Sequence, residues 1–246
     1  MQISFFEEFP TKKDLSKIKY VTFPTKLYIA ARSLEEFNSI KIPSDNVTEI
    51  IYWPLLKGRE GYWFSAFASR EGMQRIFNEL KGTNTPVMID GELPTTHNSL
   101  LYITQLFNFY DNRKMLRNFV KKRKNIYIAE YFPSSKKAEK IMNFLGLSFR
   151  FKNVYPIKMV YSSMHDFGEK RIRQTIRNVK ERAGKKTRIG LGTLTHGILG
   201  FEPIISLKLL ERDLKICQEE GIEEVILFRL GGMNKEYQKL LEKYSS

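Results

Sequence analysis

The chain has one cysteine, Cys217, in 246 residues. No disulfide can form within it, and a zinc centre built on several thiolates is excluded. Histidine is nearly as scarce, at three residues, His97, His165 and His196. No window approaches the roughly 18 uncharged apolar residues of a membrane-spanning helix. The start, Met1-Gln2-Ile3-Ser4-Phe5-Phe6-Glu7-Glu8, lacks the basic n-region, long apolar run and small-residue cleavage site of a secretory signal. A cytoplasmic location with no membrane insertion is therefore expected. Low-complexity linkers and composition shifts are also missing, which predicts one domain over residues 1–246.

What is present is a globular composition, 42% hydrophobic and 28% charged, with enough apolar mass for a core. The many Lys and Glu residues beside a single Cys fit a thermophile's usage. The formal net charge is +14. A balance this basic suits nucleic acid, an acidic substrate or an anionic membrane surface, and the placement of the charges has to choose among them.

Short β-rich runs alternate with helical runs eight times. The predicted strands are Gln2–Glu8, Lys26–Ala31, Glu49–Trp53, Val87–Glu92, Asn125–Tyr131, Ile157–Ser162, Arg188–Thr193 and Glu224–Arg229. They are short and nearly continuously apolar, as strands buried on both faces must be. Between them, Met73, Ile76, Phe77 and Leu80, and Ile172, Ile176 and Val179, recur at helical spacing. Ser33, Ser69 and Ser206 read as N-caps, and Gly146, Gly184 and Gly221 as helix stops. The fourth unit is enlarged, with Asn98–Lys124 long enough for two helices broken near Asp111-Asn112. Strict alternation predicts an α/β fold with a parallel, closed sheet, the (β/α)8 or TIM barrel.

Barrels of this kind do chemistry at the C-terminal ends of their strands, and polar groups gather there in this chain. The fourth strand ends Asp90-Gly91-Glu92. Alternation puts these two carboxylates on one face, about 6–7 Å apart at Cβ. Like charges so close raise one pKa, which suits a general acid while the other stays ionised. Gly91 between them permits close backbone approach. Glu7 and Glu130 end neighbouring strands as candidate nucleophile or base. Tyr52, Trp53 and Trp63 offer flat faces for a sugar ring, and Arg229 and His196 offer polar contacts to a substrate.

With Met159-Val160-Tyr161 on the sixth strand, the Asp-x-Glu of the fourth resembles the chitinase-like family 18 glycosidases, which are TIM barrels. The resemblance implies that Glu92 is the general acid and that Asp90 orients an acetamido group. It implies that the Tyr161 hydroxyl supports the acetamido carbonyl in substrate-assisted hydrolysis. The expected function is an intracellular enzyme acting on a carbohydrate or related polar metabolite, with no cofactor.

Three alternatives stand beside it. A metal-assisted hydrolase or isomerase would draw divalent-metal ligands from His97, His165 and His196 with Asp90, Glu130 and Asp166. A phosphate site would use the amides of Gly190, Gly192, Gly231 and Gly232 after the last two strands. A nucleic-acid binder would use Lys121-Lys122-Arg123-Lys124 and the stripe Lys170, Arg173, Arg177 and Lys180; it is the less favoured partner, because no binding motif accompanies these charges.

Overall fold

A computed structural model describes residues 1–94, 100–131, 136–164, 168–184, 186 and 188–245. Eight strands follow one another: β1 Gln2–Glu7, β2 Thr25–Ala31, β3 Val47–Pro54, β4 Val87–Gly91, β5 Ile126–Tyr131, β6 Val154–Met159, β7 Arg188–Thr193 and β8 Glu224–Phe228. Each lies beside its sequence neighbours and β8 returns to β1 in a closed (β/α)8 barrel. The helices are α1 Lys12–Leu15, α2 Leu34–Ser39, α3 Arg70–Glu79, α4 Leu100–Thr104, α5 Phe109–Lys122, α6 Lys136–Leu145, α7 Glu169–Ala183, α8 Leu207–Glu219 and α9 Lys235–Leu241. Ser33, Ser69 and Ser206 each accept a backbone N–H from three residues ahead, at 3.1–3.3 Å.

Two expectations about elements need correction. The sixth strand begins three residues earlier than predicted and ends at Met159, so Tyr161 lies beyond it. Pro156 hides that start, because proline inside a run usually argues against a strand. The enlarged fourth unit does hold two helices, but the break is the turn 105–108. Asp111-Asn112 sits inside α5 instead. Asn112 is buried there and donates to the Ala66 and Ala68 carbonyls at 3.2 and 3.1 Å.

The contacts divide the chain into two compact parts. In the part made of Ala31–Ser39 and Tyr52–Pro156, Val87 and Ile89 of β4 and Ile126 and Ile128 of β5 form a core with Met73 and Ile76 of α3 and Leu116 and Val120 of α5. Those strand residues therefore face the helices. Alternation turns Met88, Asp90 and Glu92, and Tyr127, Ala129 and Tyr131, to the inner face of the sheet. Tyr52 belongs to the helix-side core and packs on Phe37 at 4.9 Å. It is not the rim residue the sequence suggested, and the same alternation turns Trp53 inward.

In the part made of Met1–Ala30, Ile40–Ile51 and Ile157–Ser246, Phe6 packs on Tyr28 and Phe228 at 5.3 and 6.4 Å. At the first residue of β8, the buried Glu224 carboxylate accepts from Ser4 Oγ (2.7 Å) and Tyr28 Oη (3.2 Å), and pairs with Arg188 Nε at 2.6 Å. One acid thereby ties β1, β2, β7 and β8 together. The N-terminal end of a barrel strand is where stability rather than chemistry resides. Glu224→Ala leaves a largely buried guanidinium and two hydroxyls without their acceptor, and is expected to cost about 3 kcal/mol in urea unfolding. Glu224→Gln, which keeps one acceptor, should fall between. A change under about 0.5 kcal/mol in the alanine variant would show that the tie is idle.

Candidate active site

Asp90 and Glu92 stand at and just beyond the C-terminal end of β4. The parallel register pairs Asp90 with Ala129 and Gly91 with Glu130. One further step brings Glu92 beside Tyr131, and the Tyr131 hydroxyl donates a hydrogen bond to the Glu92 carboxylate. Burial of the hydroxyl end, together with the charges of Glu92 and Asp90, holds the Tyr131 phenol well above its usual range. Tyr131 is thus a permanent donor although its ring is partly exposed. Tyr102 of α4 also lies within electrostatic reach of it, and its hydroxyl donates to the Pro94 carbonyl at 3.1 Å. Gly91 is required between the two acids: a Cβ there would sit 2.8 Å from the Leu147 carbonyl oxygen and 3.0 Å from that of Ala129.

Glu130 occupies the helix-side parity of β5, with Ile126 and Ile128, and is 2% exposed. The inner residue at the end of β5 is Tyr131, which the sequence reading passed over. Trp53 is buried, and Trp63 packs edge-on against Tyr62 at 5.6 Å.

In the other part, Glu7 also takes the helix side. Its carboxylate accepts from Phe9 N (2.8 Å), Gly231 N (2.7 Å) and Arg229 Nη1 (2.8 Å). Arg229 reaches Asp14 of α1 at 3.3 Å, stacks over Phe9 and donates to the His196 carbonyl. Glu7 and Arg229, read from the sequence as candidate nucleophile and substrate contact, are thus paired with each other. Gly231 gives its amide to Glu7 and Gly232 gives its amide to Arg229 O, while Gly190 makes room for the Tyr161 ring and Gly192 for Ser163. Tyr161 packs near Phe228 at 6.5 Å.

Two acids do converge in this part. A Cβ on Gly197 would lie 2.8 Å from Glu202 Oε1, 2.9 Å from Glu8 Oε2 and 2.7 Å from the Phe228 ring. Glu8 accepts from Ile198 N and Glu202 from Leu199 N, and both are buried. Glu8 was visible as a strand end, one parity step from the residue chosen. Glu202 lies on a loop after β7 and had no sequence signal. His196 is exposed, its Nδ1 2.9 Å from Glu202 O. His97, His165 and Asp166 lie outside the described residues. Among the described residues no three His, Cys, Asp or Glu side chains cluster as metal ligands.

Burial pushes the Glu7 carboxyl up to about 7, against the pull of Arg229 and of the Phe9 and Gly231 amides, with Asp14 adding to the rise. The folded protein holds this proton more tightly than the unfolded chain does. Its stabilising contribution is complete below pH 4.5, the ordinary value, and is lost by about pH 7. The shift corresponds to about 3 kcal/mol. The unfolding free energy of the wild type minus that of Glu7→Gln should fall by about that much across the window. Parallel pH profiles for the two proteins would contradict the assignment.

No protein-family model matches the sequence, and no curated protein does. Among solved structures, the chain is similar to the PgaB (BpsB) glycoside hydrolase domain from Bordetella bronchiseptica, with TM-score 0.58 and 12% identity over 99% of this chain and 98% of that one. It is also similar to the spore cortex-lytic enzyme SleL of Bacillus megaterium QM B1551, with TM-score 0.55 and 13% identity over 100% and 74%. A third is a GH5-4 broad specificity endoglucanase from Bacteroides salanitronis, with TM-score 0.50 and 11% identity over 94% and 84%. At these identities the likeness is one of fold: this chain has the TIM barrel on which those proteins are built.

Proposed function

We propose that the protein is a carbohydrate-acting hydrolase that cleaves a glycosidic bond, with Glu92 as general acid, Asp90 as its charged neighbour and Tyr131 as the hydroxyl that orients Glu92. The observation that carries the reading is the convergence of these three on the inner face at the C-terminal ends of β4 and β5, where this fold does its chemistry. The glycoside hydrolase, cortex-lytic and endoglucanase functions of the fold's neighbours support the substrate class. Glu92 gives its proton to the glycosidic oxygen as the bond to the anomeric carbon breaks. Water supplies the new oxygen at that carbon, directly or after a neighbouring acetamido group has closed on it. The proton that water releases restores the acid. Asp90 favours the positive charge that develops on the ring or the acetamido group.

A second reading rests on Glu8 and Glu202, whose carboxylate oxygens meet near Gly197. There one would act as acid and the other as base or nucleophile. The first reading leads because Glu8 and Glu202 already hold the amides of residues 198 and 199.

Once a panel of aryl glycosides and oligosaccharides has given a substrate, Glu92→Gln should lower kcat about 10²–10⁴-fold with little change in KM. The loss should shrink sharply on aryl glycosides whose leaving group needs no proton. Full activity in Glu92→Gln together with loss in Glu202→Gln would transfer the role to the second pair.

A further inference from the structure

The first helices after β4 carry an apolar surface that the proposed chemistry does not use. Phe107 is 93% exposed, Tyr110 70%, Ile103 68% and Leu106 59%. Phe144 and Ile141 of α6 continue the same surface, at 46% and 58%, and Phe144 meets Tyr110 edge-on at 6.5 Å. Scattered exposed apolar residues need no explanation, but a contiguous patch on one part of one fold marks an interaction site.

The rim of the patch is basic. Lys137 precedes Ile141 by one helical turn, Lys140 precedes Phe144 by one turn, and Lys114 follows Tyr110 by one turn, all three exposed. The Arg113 guanidinium lies over the Phe144 ring at 5.4 Å. Apart from Lys121, Lys122, Arg123 and Lys124 at the far end of α5, residues 100–150 contain seven lysines and arginines against three acids. Two of those acids are already neutralised, Asp111 by Arg70 and Glu139 by Arg150, and the third, Glu130, is buried.

We propose that this patch docks the protein peripherally onto an anionic phospholipid surface. The charge pattern selects that occupant. A second copy seated on the patch across a two-fold axis would bring the same lysines against each other, whereas a bilayer with acidic headgroups presents negative charge around an apolar interior. Aromatic and aliphatic side chains at the acyl boundary with lysines at headgroup level is the arrangement of interfacial helices. No described helix is long and apolar enough to cross a membrane, so the attachment stays at the surface. α4 presents Ile103 outward and carries Tyr102, near Tyr131, at the adjacent position. α4 thus joins the docked surface to a tyrosine within electrostatic reach of Tyr131.

The test is flotation of the full chain with large unilamellar vesicles of phosphatidylcholine alone or with 30 mol% phosphatidylglycerol, roughly a typical anionic content. Binding is expected to the anionic vesicles only and to weaken in 0.5 M NaCl, where screening is severe. Phe107→Asp with Ile103→Asp should reduce the partition coefficient at least about tenfold. Each of Lys114→Gln, Lys137→Gln and Lys140→Gln should reduce it about fivefold, with unchanged circular dichroism in all variants. In Phe107→Trp, the indole emission should shift to the blue on anionic vesicles. Failure of the wild type to float at low salt would overturn the proposal. So would equal binding by the aspartate variant, which means charge attraction without the patch, or sedimentation as a dimer that this variant abolishes.

Discussion

A strand in a closed parallel barrel is buried twice, against the helices outside and the other strands inside, and successive residues must serve the two faces in turn. That alternation governs where the acids at the strand ends go. Ile126 and Ile128 pack on helices, so Glu130 joins them. Phe6 packs on Tyr28 and Phe228 inside, so Glu7 must turn outward, where it meets Arg229 and the neighbourhood of α1. Asp90 and Glu92 have the opposite parity to Val87 and Ile89 and keep the inner face. Strand acids one residue apart, such as Glu7 and Glu8, thereby meet different partners.

The barrel itself was legible because its signal is long. Eight apolar runs spaced by helical periodicity leave few other architectures, and each strand was found within about three residues, an ordinary boundary error. Which acid of a pair faces inward was much less legible. In a run such as Ile50-Ile51-Tyr52-Trp53 there is no polar alternation to mark the faces, and a one-residue error exchanges them. The faces taken by Tyr52 and Glu7 were not legible for this reason, whereas Asp90 and Glu92, two residues apart, stay on a common face whatever the register. Tyr131 became visible only once the β4–β5 pairing was known. Glu202 sits on a loop whose position follows from tertiary contacts, and no local pattern announces it.

Energetics separates the ties from the candidate chemistry. Glu7 receives three N–H donors, one of them a guanidinium, and burial still lifts its carboxyl to about 7. The bonds from Arg229 and Gly231 join the turn after β8 to the end of β1. Glu224 plays the matching part at the opposite end of the sheet, with Arg188 as its cation. The first part of the chain thus uses its buried acids as ties at both ends. Glu92 accepts from the Tyr131 hydroxyl and is only half-buried.

The charge of the molecule has a location, and that location has consequences for its order of events. Lysines around an apolar patch oppose, by like-charge repulsion, the self-association that the exposed Phe107 and Tyr110 would otherwise invite. The same lysines act across a Debye length of about 8 Å at physiological ionic strength, so an anionic surface is felt before any side chain touches it. Burial of the aromatic and aliphatic groups acts only at contact. Attraction followed by apolar burial fixes the face presented as well as the affinity. Since Tyr102 shares α4 with Ile103 and lies within electrostatic reach of Tyr131, the fixed face is the one that α4 joins to that tyrosine. A substrate held at such a surface would reach the acid from the rim, the one side from which a (β/α)8 barrel admits it.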